Sequence, residues 1–379
     1  MAKPSYRCPT CGRTLAANRP RWRCDCGGPL DLAPGPGLSR RDIDAGNASL
    51  WRYAAGLVMR QAPVVSLGEG WTPLVERRWD VAKVHFKLES QMPTGSFKDR
   101  GTSVMINHLL EVGVGPIHED SSGNAGSSIA TYAAAAGIPC RIYVPAGAPR
   151  AKLVQIAASG AEVCAIPGTR QAVTDAALAA VGGSFYASHN WHPYFIEGTQ
   201  TLGFELWEQL GFRLPDNVLV PTGYGSNILG LERGFDALER AGEISARPRL
   251  FAVQAANCAA FAAAWNAGID GLVPFVTNAT VADGIATIRP VRPAAVLRAL
   301  RRSKGGVVTV AEDEIAVAVR NLGRLGLFVE PTAATAGAAL TRLLRDRVIA
   351  TGETTVAVLT GHGLKAAERI GDLLEVGVA

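Results

Sequence analysis

Lys98 sits in the run Pro93-Thr94-Gly95-Ser96-Phe97-Lys98-Asp99-Arg100-Gly101, between an alternating strand-like segment and a helical pattern. A lone lysine in such a loop is ordinarily a solvated surface residue. To attack a carbonyl it must be unprotonated, which calls for a desolvated or electropositive setting of the kind that Arg100 and a nearby anion loop would help to make. Three other loops offer matching chemistry. Ser121-Ser122-Gly123-Asn124-Ala125-Gly126 presents hydroxyls, an amide and free N–H groups at the start of a helix. Such a loop either holds a carboxylate or simply caps its helix. Thr222-Gly223-Tyr224-Gly225-Ser226-Asn227 follows Val218-Leu219-Val220 and opens another helix. Its glycines let N–H groups converge on a phosphate, although most clusters of this type are turns. It lacks the lysine of a P-loop and the spacing of a dinucleotide fingerprint, which argues against ATP and NAD. The fourth loop is Thr360-Gly361-His362-Gly363-Leu364-Lys365.

Cys8-Pro-Thr-Cys11 and Cys24-Asp-Cys26 place two cysteine pairs on glycine-flanked turns, with twelve residues between them. That spacing suits a four-thiolate zinc ribbon, with Cys-x-Cys in place of the commoner second Cys-x-x-Cys. Four thiolates leave no open position, so the expected role is structural. Metal loss is expected to loosen residues 1–32 before the rest of the chain. Cys140, Cys164 and Cys258 stand alone in apolar segments and read as small buried hydrophobes.

The elements that position these loops are legible in the pattern. The chain has 379 residues, 48% of them hydrophobic and 19% charged, enough for a sizeable core in two domains or one large α/β unit. The net charge is only +5 and its Lys and Arg are scattered, so nucleic acid and membrane surfaces are not expected partners. No apolar run reaches bilayer length and the first residues lack a signal-peptide core, from which a cytoplasmic protein is expected. After a Pro/Gly-containing linker at 34–41, short β-rich runs alternate with helical patterns, the mark of a parallel sheet with crossover helices. Strands are expected at 84–88, 141–144, 162–166, 217–220, 250–254, 307–310, 327–329 and 355–359. Helices are expected at 126–136, 152–158, 171–181, 199–210, 228–241, 313–325 and 333–347. Open α/β sheets bind ligands at the carboxyl ends of strands, where all four loops fall.

Taken in order, the loops resemble a known group. Thr94-Gly95-Ser96-Phe97-Lys98-Asp99-Arg100 is similar to the cofactor-lysine motif of fold-type II pyridoxal-phosphate enzymes. Leu359-Thr360-Gly361-His362-Gly363-Leu364-Lys365 is similar to the C-terminal motif of threonine synthases. Gly70-Trp71-Thr72-Pro73-Leu74, Ser122-Gly123-Asn124, Glu197-Gly198-Thr199-Gln200-Thr201 and Glu330-Pro331-Thr332-Ala333-Ala334 extend the resemblance over residues 63–367. It implies a tryptophan synthase β-like fold of two doubly wound open sheets carrying an N-terminal zinc-ribbon-like segment. The implied domains are 1–32 (ribbon), 33–89 with 191–379 (large, cofactor-binding) and 90–190 (small, substrate-side). Lys98 would be the Schiff-base lysine and the shuttle for the Cα proton, with Phe97 beside the cofactor and Asn124 at its 3-hydroxyl. Gly223, Tyr224, Gly225, Ser226 and Asn227 would cradle the phosphate, where the group often has Gly-Asn-Ala-Gly-Asn. Thr360 would meet the pyridine nitrogen. Ser121, Ser122, Ala125, Ser188, His192 and Tyr194 would line the substrate site. The resemblance further implies a small amino-acid substrate and a homodimer.

Two departures bear on the substrate. Threonine synthases usually carry Asn-Pro-Tyr-Arg-Ile-Glu-Gly, whose Arg binds the substrate phosphate; here the segment is His192-Pro193-Tyr194-Phe195-Ile196-Glu197-Gly198. An apolar ring in place of a guanidinium removes a contact worth roughly 1.5–3 kcal/mol. Lys152 and Arg292 are the cations that could stand in for it. Val281-Ala282-Asp283-Gly284-Ile285-Ala286 is also more similar to the corresponding run of dehydratases and serine racemases. The expectation is a lyase or transferase working by β- or γ-elimination or replacement on a substrate other than O-phosphohomoserine. The alternatives are an authentic threonine synthase, a threonine or serine dehydratase or related ammonia-lyase, and a non-catalytic relic that binds through its ribbon.

Overall fold

The computed structural model describes residues 4–148, 150–168, 170–180 and 183–375, without the side chains of residues 150–152. In chain order its strands are β1 (Ser5–Arg7), β2 (Thr14–Ala16), β3 (Asp31–Leu32), β4 (Leu74–Trp79), β5 (Ala82–Lys87), β6 (Ile117–Glu119), β7 (Cys140–Pro145), β8 (Glu162–Ile166), β9 (Phe185–Tyr186), β10 (Asn217–Pro221), β11 (Arg249–Ala255), β12 (Gly306–Val310) and β13 (Thr355–Val358). The helices are α1 (Lys98–Glu111), α2 (Asn124–Ala135), α3 (Arg150–Ala158), α4 (Arg170–Ala179), α5 (Pro193–Thr199), α6 (Thr201–Gln209), α7 (Ser226–Arg240), α8 (Ala260–Asn266), α9 (Pro293–Arg302), α10 (Glu312–Arg324), α11 (Pro331–Arg345) and α12 (Ala367–Leu374).

Two compact units result, one of Met1–Trp71, Lys98–Thr201 and Asp236–Glu243, the other of Thr72–Phe97, Leu202–Phe235 and Ile244–Ala379. The first holds a parallel sheet in the order β8-β7-β6-β9 and the small antiparallel sheet β2-β1-β3. The second holds the sheet β12-β11-β10-β13-β5-β4, parallel except for β4 on its edge. β10 reads Asn-Val-Leu-Val-Pro and is buried throughout, as a central parallel strand covered on both faces must be. β5 alternates until Lys87, a fully buried lysine whose Nζ lies 2.6 Å from Glu205 Oε2 and 2.6 Å from the Thr72 carbonyl.

In the first unit, one core joins Tyr6, Cys8, Cys24, Leu30 and Leu32 to Val104, Met105, Ile106 and Leu109 of α1 and to Tyr194 and Phe195 of α5. Tyr6 Oη lies 3.0 Å from His108 Nε2. The His108 ring stacks on Tyr194 at 3.5 Å. Trp22 packs edge-on against Tyr186 and Trp191 at 5.0 and 5.5 Å. The cysteine-bearing segment is therefore built into this unit, which revises the expectation that it would loosen alone. Residues 33–71, grouped from sequence with the large domain, also lie in the first compact unit, because Leu50, Trp51, Leu57 and Val65 share its core.

Most expected elements are present. The 327–329 run is not a strand: only Val329 makes an isolated bridge, to His362, since the run is short and Pro331 starts α11. The expected helix at 199–210 is divided between α5 and α6, and the one at 171–181 reaches residues outside those described. β1, β2, β3, β4, β9, α8, α9 and α12 were not anticipated as elements; the strands among them are three residues or shorter or lie on a sheet edge. Among the described residues, no helix is long and apolar enough to cross a membrane.

Candidate functional site

In the first unit, Lys98 opens α1, and every residue from Asp99 to Leu109 behind it is buried. Asp99 lies in the first turn and accepts a 2.6 Å bond from Ser128 Oγ, which locks α1 to α2. Gly101 and Gly198 let α1 and α5 approach: a Cβ on Gly101 would meet the Phe195 ring at 2.6 Å, and one on Gly198 the Arg100 carbonyl oxygen at 2.0 Å. Phe195 is thereby fully buried with its ring 5.7 Å from Lys98 Nζ. Apolar ring and reactive amine are neighbours.

The 121–126 loop turns tightly into α2. Gly126 is required there, because a Cβ would lie 1.8 Å from the Ser121 carbonyl oxygen. Ser121 Oγ accepts from the Gly123 N–H at 3.3 Å, and Ser121, Ser122 and Asn124 stay partly exposed at the helix start while Ala125 is buried. Ser188 is fully buried after β9. His192 Nδ1 caps its own helix at the Tyr194 N–H (3.3 Å), and Tyr194 lies between His108 and Tyr6. Burial pushes the Tyr194 phenol well above its ordinary range.

Sequence reasoning missed one pair. Glu119, fully buried at the end of β6, holds His189 with Oε1 2.6 Å from Nδ1. Burial, then the charge of Asp120, pushes the Glu119 carboxyl well above its ordinary value. Burial, then Lys98 and Arg170, pushes the His189 imidazole well below its own. The one available signal was the acidic pair Glu119-Asp120 just ahead of a ligand-type loop.

In the second unit, four sequence motifs meet. The Phe97 N–H donates to the Thr360 carbonyl at 3.0 Å, the His362 N–H to the Gly95 carbonyl at 2.9 Å, and Lys365 Nζ to the Thr94 carbonyl at 2.9 Å. The 94–97 run is thus pinned to the 360–365 run. A Cβ on Gly223 would lie 2.9 Å from Thr287 Oγ1 and 3.1 Å from the Ile285 Cα, while Gly225 has φ +87° and Val296 within 2.4 Å of a Cβ. Only glycine fits either position. Tyr224 is half-buried and Ser226 begins α7, whose N–H groups face the loop. Arg292 precedes α9 and is buried; the Lys152 side chain lies outside those described.

A pyridoxal-phosphate group fits these residues. Asn227 is 3% exposed, and neither its Nδ2 nor its Oδ1 meets a hydrogen-bond partner among the described residues. Thr360 is 2% exposed with Oγ1 in the same condition. Buried polar atoms of this kind cost about 1–3 kcal/mol each unless something pairs them. A phosphate at the α7 start would satisfy the first and a ring nitrogen the second.

The four cysteine sulfurs of the ribbon lie within 4.8 Å of one another, with Cys8 and Cys26 at 3.5 Å and Cys11 and Cys24 at 3.7 Å. Tetrahedral zinc with Zn–S near 2.3 Å would set sulfurs about 3.8 Å apart, so the donor set fits that metal. Burial opposes ionisation of Cys8, but the Cys11 and Thr10 N–H groups outweigh it and bring the thiol down to about 6.

Residues 65–361 match the family described as pyridoxal-phosphate dependent enzyme. The chain is 33% identical to the threonine synthase of Methanosarcina acetivorans over 97% of its own length and 94% of that protein. It is 32% identical to the threonine synthase of Methanocaldococcus jannaschii, covering 95% and 92%. Among solved structures, the processed form of threonine deaminase isoform 2 from Solanum lycopersicum superposes with a TM-score of 0.69 at 22% identity, covering 81% and 84%, a likeness of fold. By the match of residues 65–361 and the identity to the two archaeal enzymes, the chain belongs to the pyridoxal-phosphate dependent enzyme family, as a threonine synthase-like lyase of fold type II.

Proposed function

We propose that this lyase eliminates or replaces a group at the β or γ carbon of an L-amino acid whose leaving group is not phosphate. Phe195 carries the reading: the position that holds a phosphate-binding Arg in threonine synthases is here a fully buried ring 5.7 Å from Lys98 Nζ. A dianion beside that ring would be desolvated without a counter-charge, at a cost of several kcal/mol.

In this reading Lys98 Nζ anchors the cofactor covalently and, once released by substrate, moves the Cα proton. Asn124 would meet the cofactor's 3-hydroxyl and Phe97 would contact the cofactor. Gly223, Tyr224, Gly225, Ser226 and Asn227 would hold the phosphate, and the Thr360 hydroxyl would serve the ring nitrogen. When bound, the pyridoxal group supplies the electron sink for the pair left at Cα. A neutral hydroxyl partner for the ring nitrogen makes a weaker sink than a carboxylate would, which suits elimination. Ser121, Ser122 and Ala125, at the start of α2, take the substrate carboxylate. Ser188 borders the side-chain end, while His192 and Tyr194 support that wall from behind. Cys8, Cys11, Cys24 and Cys26 hold a structural zinc ion, and the chain acts as a homodimer, which light scattering on eluted protein would test.

Product assays test the proposal. Ammonia and a keto acid from a β-substituted amino acid are the expected products. Efficient, saturable release of phosphate and threonine from O-phosphohomoserine would instead establish the second reading, an authentic threonine synthase, which the identity to the two archaeal enzymes favours.

A further inference from the structure

Against Phe195 lies a pair of ionisable side chains with no part in the roles above. β6 and β9 are adjacent and parallel, paired at Ile117 with Phe185 and His118 with Tyr186. Glu119 and His189 therefore leave the sheet at its carboxyl edge, where α/β sheets bind ligands. Glu119 Oε1 is 2.6 Å from His189 Nδ1, and Glu119 Oε2 has no hydrogen-bond partner among the described residues. The His189 ring stands edge-on to Phe195 with centroids 5.7 Å apart, and Lys98 Nζ is 5.7 Å from the same ring. The neighbouring Asp120 is engaged elsewhere, by Tyr186 Oη at 2.8 Å and Arg170 at 2.9 Å. His189 is 6% exposed and Glu119 is not exposed at all, so the imidazole fronts the pair and the carboxyl backs it.

Leaving-group chemistry gives the pair a use. A phosphate departs as a stable anion if a cation neutralises it; hydroxide does not depart at neutral pH unless it receives a proton. This chain lacks the cation at residue 195 and holds a carboxyl–imidazole pair beside the ring that replaces it. We propose that His189, oriented by Glu119, is the general acid that protonates the leaving hydroxyl of a β-hydroxy amino acid, an assignment that rests on the lyase reading above.

Burial pushes the Glu119 carboxyl up and the His189 imidazole down; the proposed step starts with the shared proton on Glu119, Nδ1 accepting and Nε2 carrying the ring proton. Lys98, Asp120, Arg170, Cys140 and Tyr186 are the other ionisable groups that feel the pair. In the step, Lys98 takes the Cα proton and the Cα–H electron pair becomes the Cα=Cβ bond. The Cβ–O bond breaks with its electrons on oxygen. The Nε2 proton joins that oxygen, water leaves, and the Glu119 proton moves to Nδ1. The proton on Lys98 balances the one given up by the pair, and the unsaturated amine hydrolyses to keto acid and ammonia.

The test uses leaving groups of different need. L-serine and L-threonine lose hydroxyl, whereas β-chloro-L-alanine loses chloride, which needs no proton. In Glu119→Gln and His189→Gln holoenzymes, the ratio of kcat/KM for hydroxyl over chloride elimination should fall by about 100-fold or more. Absorbance of the bound cofactor should keep its wild-type intensity. Equal losses on both substrates, an unchanged ratio, or loss of bound cofactor would each overturn the assignment. Should either variant not fold, the wild-type enzyme still decides: a solvent deuterium effect on serine turnover that exceeds the effect on the chloro compound is expected, and equal effects sink the proposal. A wild-type enzyme that releases phosphate from O-phosphohomoserine and forms no keto acid from hydroxy amino acids removes the proposed non-phosphate leaving group and this assignment together. Failure of the ratio alone removes only this one.

Discussion

Lys98→Ala removes a nucleophile and a proton shuttle at the start of a helix whose remaining residues stay packed. Turnover should disappear, borohydride should no longer link cofactor to chain, and the far-UV circular dichroism should match wild type; turnover like that of the wild type would refute the assignment of Lys98. His108 gives a second prediction. Burial, only partly opposed by Glu111, holds its imidazole below the ordinary 6.5, with Arg60 also acting to lower it. Below about pH 6.5 the unfolded chain therefore binds a proton that the folded chain refuses, and stability falls as pH drops from 6.5 toward the folded value. His108→Phe keeps a ring against Tyr194 but leaves Tyr6 Oη without its partner. It should lower stability at pH 7.5 by about 1 kcal/mol. It should also flatten the decline between pH 6.5 and 5.5 by up to about 1.4 kcal/mol per unit, the limit for one proton. Urea midpoints at three pH values would measure both.

The approach of α1 and α5 depends on what stands opposite each glycine. Gly101→Ala sets a Cβ against the Phe195 ring, which can tilt, and should cost about 1–3 kcal/mol. Gly198→Ala meets the Arg100 carbonyl oxygen, which cannot tilt without moving α1, and should cost more. Thermal unfolding that ranks the two in the opposite order would contradict this geometry. The same elements show what the sequence could convey. The loops at 94–101, 121–126, 222–227 and 360–365 were readable because each needs its glycines and polar residues contiguous in the chain, as the constraints on Gly126, Gly223 and Gly225 confirm. Glu119 and His189 were not readable as a pair, since 70 residues separate them and only the pairing of β6 with β9 unites them. The packing of His192 and Tyr194 was not readable either, since the direction of a side chain on a short helix depends on its packing partners. Here those are His108 and Tyr6, the latter from a segment that reads as separate.

Over the whole molecule, the ribbon shares its core with the helix that begins at Lys98. Chelation should release about one zinc per chain and raise amide exchange in 5–32 and in 98–111 together, because structural zinc binding is folding energy. Exchange confined to 5–32, or protein purified without chelator that contains no zinc, would contradict this coupling. The shared core also fixes how far the chain can be trimmed. The family match spans only residues 65–361, yet Tyr6, Leu30, Leu32, Leu50 and Trp51 pack in the core with α1 and α5 from outside that span. A recombinant fragment cut to residues 65–361 would expose the His108–Tyr194 stack and the apolar side of α1 to water, and it should be recovered aggregated where the full chain is soluble. Recognition and autonomy thus have different borders in this protein: the segment that identifies the enzyme is shorter than the segment that can fold.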